Sequence, residues 1–172
     1  MRRPIRFIGR PVRAKVNRCS ILLRLPTDAT IIEACLEDAA AIAEIHLAAR
    51  QQAMPYLRLA HTADETRDYF AGAVCGRPQA WWVVRHRGQV AAYMLIDGEN
   101  LDHLYVAPAF QGLGFGSALL AMAKTLSPRR IELWTPQRNK RAHAFYEARG
   151  FHAGRQTDGQ NEEGEPDVQY EW

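Results

Sequence analysis

The chain reads as an α+β domain with helices packed on a mixed sheet. Three observations in the 172-residue sequence point there. Segments of period two and period 3.6 follow one another in the order β-α-α-β-β-β-α-β-α-β-β from residue 30 to the end. Two strand-like runs flank Arg87 and Gly88 as an antiparallel hairpin would. The length suits one domain and is too short for two with a linker. With 47% hydrophobic and 24% charged residues the composition is globular and excludes a disordered or collagen-like chain. No apolar run approaches the ~20 residues of a membrane-spanning helix, so no membrane partner is expected.

Residues 30–36 form a short strand, and residues 37–52 a helix on which Ile42, Ala43 and Ile45 cluster at helical spacing before Pro55 ends it. A second helix runs over 63–74. Thr62 precedes it and Glu65 follows three residues later, as a capping box requires. The hairpin comprises 80–85 and 89–96. A third strand, 100–106, stops at Pro108, a glycine-rich turn follows, and 117–126 is an amphipathic helix built on Ala118, Leu119, Leu120 and Met122. Strand 130–135, helix 139–149 and strands 151–157 and 167–172 complete the order. The polar turn 158–166 separates the last two strands.

Charge is divided unevenly. Residues 1–27 hold eight basic side chains and no acid, whereas the other 145 hold 14 basic against 19 acidic ones, a balance of −5. Such an arm either contacts phosphates or lies outside the fold. The second reading is adopted: a basic extension over 1–28 and a domain over 29–172, with no nucleic-acid partner expected. Cys19, Cys35 and Cys75 are odd in number and far apart, which fits a reducing cytoplasm. The histidines show no metal-binding spacing, so no metal is expected.

Between the third strand and the next helix stand Gln111, Gly112, Leu113, Gly114, Phe115 and Gly116, with glycine at every second position. Glycines let main-chain N–H groups converge on a ligand, and the helix start at Ser117 adds unpaired N–H groups and the positive end of its dipole. Such a turn suits a phosphate. A Walker loop would continue Gly-Lys-Ser/Thr, but Gly116, Ser117 and Ala118 stand here. A Rossmann fingerprint needs an acid at the tip of the next strand, where Trp134 and Thr135 lie.

Leu104, Tyr105, Val106, Ala107 and Pro108, followed by the Gln111–Gly116 turn, resemble the acetyl-coenzyme A signature of the GNAT superfamily of N-acetyltransferases, Arg/Gln-x-x-Gly-x-Gly/Ala after a strand. Asn139, Ala142, Phe145, Tyr146, Gly150 and Phe151 resemble a second motif of that family. The resemblance implies a mostly antiparallel sheet of six to seven strands, helices on both faces, and a splayed central parallel pair made by 100–106 and 130–135. It implies acetyl-CoA as co-substrate, with the pyrophosphate on the turn from Gln111 to Gly116 and at Ser117. It also implies that Leu104, Tyr105 and Val106 lie along the pantetheine.

Acetyl transfer to an amine requires a neutral amine, a site for the developing oxyanion and a proton for the departing thiolate. The resemblance gives the proton to Tyr146, whose phenol stays protonated at neutral pH. Asn139 has two open roles, a bond to the coenzyme arm or the N-cap of its own helix. Arg138, Lys140 and Arg141 share that end and could meet the nucleotide phosphates. Glu99, Asp102 and His103 lie near the base's place. Period-two alternation puts Asp102 on the face of Asn100 and Leu104 and His103 on the other, and Asp102 is preferred. The family layout places the acceptor near Tyr56, His61 and the acidic turn of Glu162, Glu163 and Glu165, whose carboxylates would attract a cationic amine, on a small molecule or a protein. The last strand, ending at Trp172, could join a second copy's sheet in a homodimer. A coenzyme-binding regulatory or interaction module without catalysis is the competing reading.

Overall fold

A computed structural model describes residues 25–172 except 27, 59 and 77–79. The extension over 1–28 therefore lies almost wholly outside the described residues. Strand β1 is Ala29–Glu33, followed by a 3-10 turn over Leu36–Asp38, helix α1 over Ala39–Ala53 and helix α2 over Ala63–Gly76. Then come β2 (Trp81–His86), β3 (Gln89–Asp97), β4 (Asn100–Val106), a second 3-10 turn, α3 (Phe115–Leu126), β5 (Glu132–Pro136), α4 (Lys140–Glu147), β6 (His152–Gln156) and β7 (Asp167–Glu171). The seven strands form one sheet in the order β1-β2-β3-β4-β5-β7-β6. Every pairing is antiparallel except β4 with β5.

Alternation along β2 and β3 builds two cores at once. Trp81, Val83, Tyr93 and Leu95 face α1 and α2 and pack with Ile42, Phe70 and Val74. Trp82, Val84, Ala92 and Met94 face the other side and pack with Leu119, Leu120, Tyr146 and Tyr170. These central strands are covered on both faces, which explains why they read as continuous apolar runs. Arg87 (φ 50°) and Gly88 (φ 76°) make the two-residue turn between them, and both central positions need the left-handed region. The capping box of α2 is present: the Thr62 amide donates to Glu65 Oε2 at 2.8 Å and the Glu65 amide to Thr62 Oγ1 at 3.2 Å.

Four expectations change. The first strand ends at Glu33 instead of 36, because the buried Asp38 carboxylate accepts from the Cys35 amide at 3.0 Å and folds residues 36–38 into a turn. Helix α3 starts at Phe115, two residues early, because Gly114 caps it in the left-handed conformation (φ 87°) and Phe115 is drawn into the core. The last strand is not an edge: β7 pairs with β5 on one side and β6 on the other, so no open edge of it is offered to a second copy. Among the described strands the edges are β1 and β6.

The fourth change concerns β4. Leu95 pairs with His103 and Ile96 with Leu101, which leaves Asp102 as the extra residue of a bulge. Alternation resumes out of phase beyond it. Leu101, Leu104 and Val106 pack on the α3 side, while His103 and Tyr105 enter the aromatic cluster near α1. Asp102 and Leu104 therefore do not follow the simple two-residue period.

Candidate functional site

Only one rung, Asn100 with Glu132, joins β4 to β5, and the Glu132 amide donates to Glu99 O at 2.8 Å beside it. Past that rung the strands part. Between them opens a cavity of about 570 Å³, floored by β4 and β5 and walled by α1, the glycine turn, α3 and α4. A bulge adds local twist and bends its strand, which helps separate β4 from its parallel neighbour.

One end of the cavity is formed by Gln111, Gly112, Gly114, Phe115, Gly116 and Ser117. Leu113 stands exposed outside its wall. Gly112 (φ 82°) and Gly114 (φ 87°) occupy the left-handed region, whereas Gly116 lies inside α3 close to Val106 and Phe145. The Gln111 side chain donates to Gln52 Oε1 at 2.8 Å and so ties the turn to α1. A Cβ at position 114 would touch nothing within 4 Å, so the cost of substitution there is conformational. Gly114→Ala is expected to lower stability by roughly 1 kcal/mol, read as a drop in the denaturation midpoint.

Arg149 is a member of this end that sequence reasoning missed. Its guanidinium stacks 3.9 Å from the Phe145 ring centroid and donates to Ser117 Oγ at 2.6 Å and to Phe145 O at 2.8 Å. Arg141 also lines the wall. Arg149 thus stands at the positive end of α3, an arrangement suited to a diphosphate. Arg149 lies 32 residues from Ser117 and carries no local signature, so only the fold brings it there. Of the basic group at the start of α4, Arg138 goes elsewhere: it stacks 3.8 Å above the Tyr56 ring and pairs with Glu165 at 3.6 Å, so it turns away from the phosphate end.

Asn139 caps α4, its Oδ1 accepting from the Ala142 amide at 3.2 Å, and also lines the cavity. Tyr146 is buried on the same helix and lines the same wall. Burial, and secondarily Tyr105, push its hydroxyl far above the ordinary phenol value, so it remains protonated throughout the neutral range. Asp102, His103, Leu104, Tyr105 and Val106 all line the floor, Asp102 being exposed at the bulge.

At the opposite end the acidic turn between β6 and β7 folds back across the cavity mouth. Glu163 pairs with Arg50 of α1, Glu165 with Arg138, and Glu162 with His61 at 3.4 Å. The carboxylates expected to await a cationic amine are thus engaged by basic groups. Asp167, half-buried and lining the cavity, has its carboxyl pushed up, first by burial and then by Glu163 and Glu165.

Beneath this end lies a cluster of neutral rings. His46 Nδ1 bonds the Tyr93 hydroxyl at 2.8 Å, and His103 stacks on Trp81 with centroids 5.6 Å apart. Burial lowers His46 from 6.5 to about 3, helped by His103 and Arg50, and lowers His103 to about 4, helped by Arg50. An imidazole that low accepts no proton near pH 7, which disfavours His103 as the base. Because the unfolded histidines protonate near ~6.5, their contribution to stability is full above that pH. It is lost on acidification through the window down to about 3–4. The thermal midpoint should fall on lowering the pH from 7.5 to 4.5, and His103→Phe should flatten that slope.

Comparison with known proteins bears on the fold. Residues 77–153 match the family model of the acetyltransferase (GNAT) domain. A peptidyl-lysine N-acetyltransferase, YjaB of Escherichia coli, is 34% identical over 73 residues, 41% of this chain and 48% of that protein. An uncharacterized N-acetyltransferase of Mycobacterium tuberculosis is 35% identical over 91 residues, 48% of this chain and 58% of that protein. The chain spans about half the length of these curated relatives. Among solved structures, apo YjaB of E. coli superposes with a TM-score of 0.67 at 22% identity, covering 84% of this chain and 97% of that one. PaiA N-acetyltransferase of Thermoplasma acidophilum, in complex with coenzyme A, gives 0.66 at 15% identity over 83% and 97%. The sheet with its parted parallel strands is the fold these structures share, and the match to the GNAT acetyltransferase domain spans residues 77–153, from before β2 into β6.

Proposed function

We propose that the protein transfers the acetyl group of acetyl-CoA directly to a primary amine. The observation that carries this reading is the cleft between β4 and β5, closed at one end by the glycine turn and the start of α3. Main-chain amides there, with Arg149 beside them, suit the diphosphate of the coenzyme, and Leu104, Tyr105 and Val106 offer strand edges to its amide-bearing arm. The bound coenzyme supplies the thioester. Tyr146 holds a proton at its hydroxyl for the sulfur that leaves, and Asp102 takes one from the amine, directly or through water. Asn139, whose Oδ1 caps α4 and whose amide group donates to Met54 Sδ at 3.5 Å, would exchange that weak sulfur contact for the coenzyme arm.

YjaB, named a peptidyl-lysine N-acetyltransferase, and YncA of Salmonella typhimurium, solved with acetyl-CoA, support this chemistry. Calorimetry with acetyl-CoA and with free CoA at moderate ionic strength tests the cleft. Thiol release with a panel of amines then tests transfer. Absence of uptake of either coenzyme form would remove the reading, while uptake without thiol release for any amine would leave a binding module.

A further inference from the structure

Arg50 is the cation of the acceptor end that lines the cavity itself. Its side chain is only 16% exposed, it lines the cavity, and the Tyr105 hydroxyl lies beside its guanidinium. The carboxylate that meets it, Glu163, comes from the polar turn between β6 and β7, an element that holds Arg50 through one side chain across 113 residues of sequence. A guanidinium carries five donors in a planar fork suited to a carboxylate. Sunk in a cavity wall, it favours a carboxylate that reaches it from within the cleft.

Resting on the acetyltransferase reading, we propose that the acceptor is an amine that also carries a carboxylate, which Arg50 receives in the place now held by Glu163. Asp102 on the floor and Asp167, both lining the same cavity, provide the complementary charge for the ammonium end. A guanidinium flanked by carboxylates recognises a zwitterion better than a simple amine. A plain amine leaves Glu163 on Arg50 and gains nothing from it, whereas a carboxylate-bearing amine uses both signs of charge.

The test uses matched pairs that differ by the carboxylate alone, L-phenylalanine against phenethylamine and L-ornithine against putrescine, together with a lysine-containing peptide. In the unaltered protein the carboxylate-bearing member of each pair should show the higher kcat/KM, by about tenfold or more. In Arg50→Ala that ratio should fall to about one. Glu163→Gln, by weakening the internal competitor, should lower KM for the carboxylate-bearing amines. Should Arg50→Ala not fold, Arg50→Lys, which keeps the charge but loses the fork, should shrink the ratio. Equal or better use of phenethylamine, putrescine or the peptide by the unaltered protein overturns the inference. Acetyl-CoA uptake in the same samples separates that outcome from a failure of the acetyltransferase reading.

Discussion

Tyr146→Phe is expected to lower kcat by roughly 10²- to 10⁴-fold, the range for removal of a positioned general acid, while the dissociation constant for acetyl-CoA stays nearly unchanged. The substitution removes one oxygen and keeps the ring, and the ring's packing against Phe145, Phe151 and Tyr170 is what α4 uses to hold its place. Stability should therefore change little. The raised phenol value adds a second expectation: loss of activity at high pH in the unaltered protein will not track Tyr146 up to about pH 10, since burial keeps that proton in place. Steady-state kinetics alongside calorimetry decides the matter. A variant with undiminished turnover assigns Tyr146 to packing alone.

Leu119→Ala is expected to cost about 3 kcal/mol of stability, within the range for a fully buried leucine that leaves a cavity behind. Leu119 has no exposed surface and sits on α3 facing the core built on Val84, Met94 and Tyr170. At this chain length each kcal/mol moves the midpoint by roughly 2–4 °C, so a fall of about 6–12 °C should be seen by differential scanning calorimetry. A change under about 2 °C would mean that α3 repacks around the vacancy. Because the first turn of α3 frames the phosphate end, the same variant reports whether that end depends on a well-seated helix.

Local chemistry was legible in the sequence. The turn at Arg87 and Gly88, the Thr62–Glu65 box and the bounds of β4 all depend on residues a few positions apart, and the structure places them where spacing predicts, while the strand-glycine-helix passage is present with its helix starting two residues early. The residues expected around the coenzyme, Leu113 apart, line one cleft, although what each does there is a matter for experiment. What could not be read depends on partners distant in sequence. The bulge at Asp102 exists only in the register with Leu95 and Ile96, so period-two reasoning failed there. The interior position of β7 follows from its insertion between β5 and β6, which adjacency along the chain does not reveal. Arg50 on α1 and Arg149 in the turn after α4 are ordinary arginines until the fold brings them to Glu163 and Ser117.

The lone rung between Asn100 and Glu132 leaves the two halves of the sheet joined along the line between β4 and β5 by few backbone bonds, although one core packs beneath both. Strands β1–β4 lie on one side of it, and β5, β7 and β6 on the other. A molecule seated in the seam replaces cross-strand bonds the backbone does not make for itself, so occupancy should behave as a clasp, with its binding free energy appearing as resistance to unfolding.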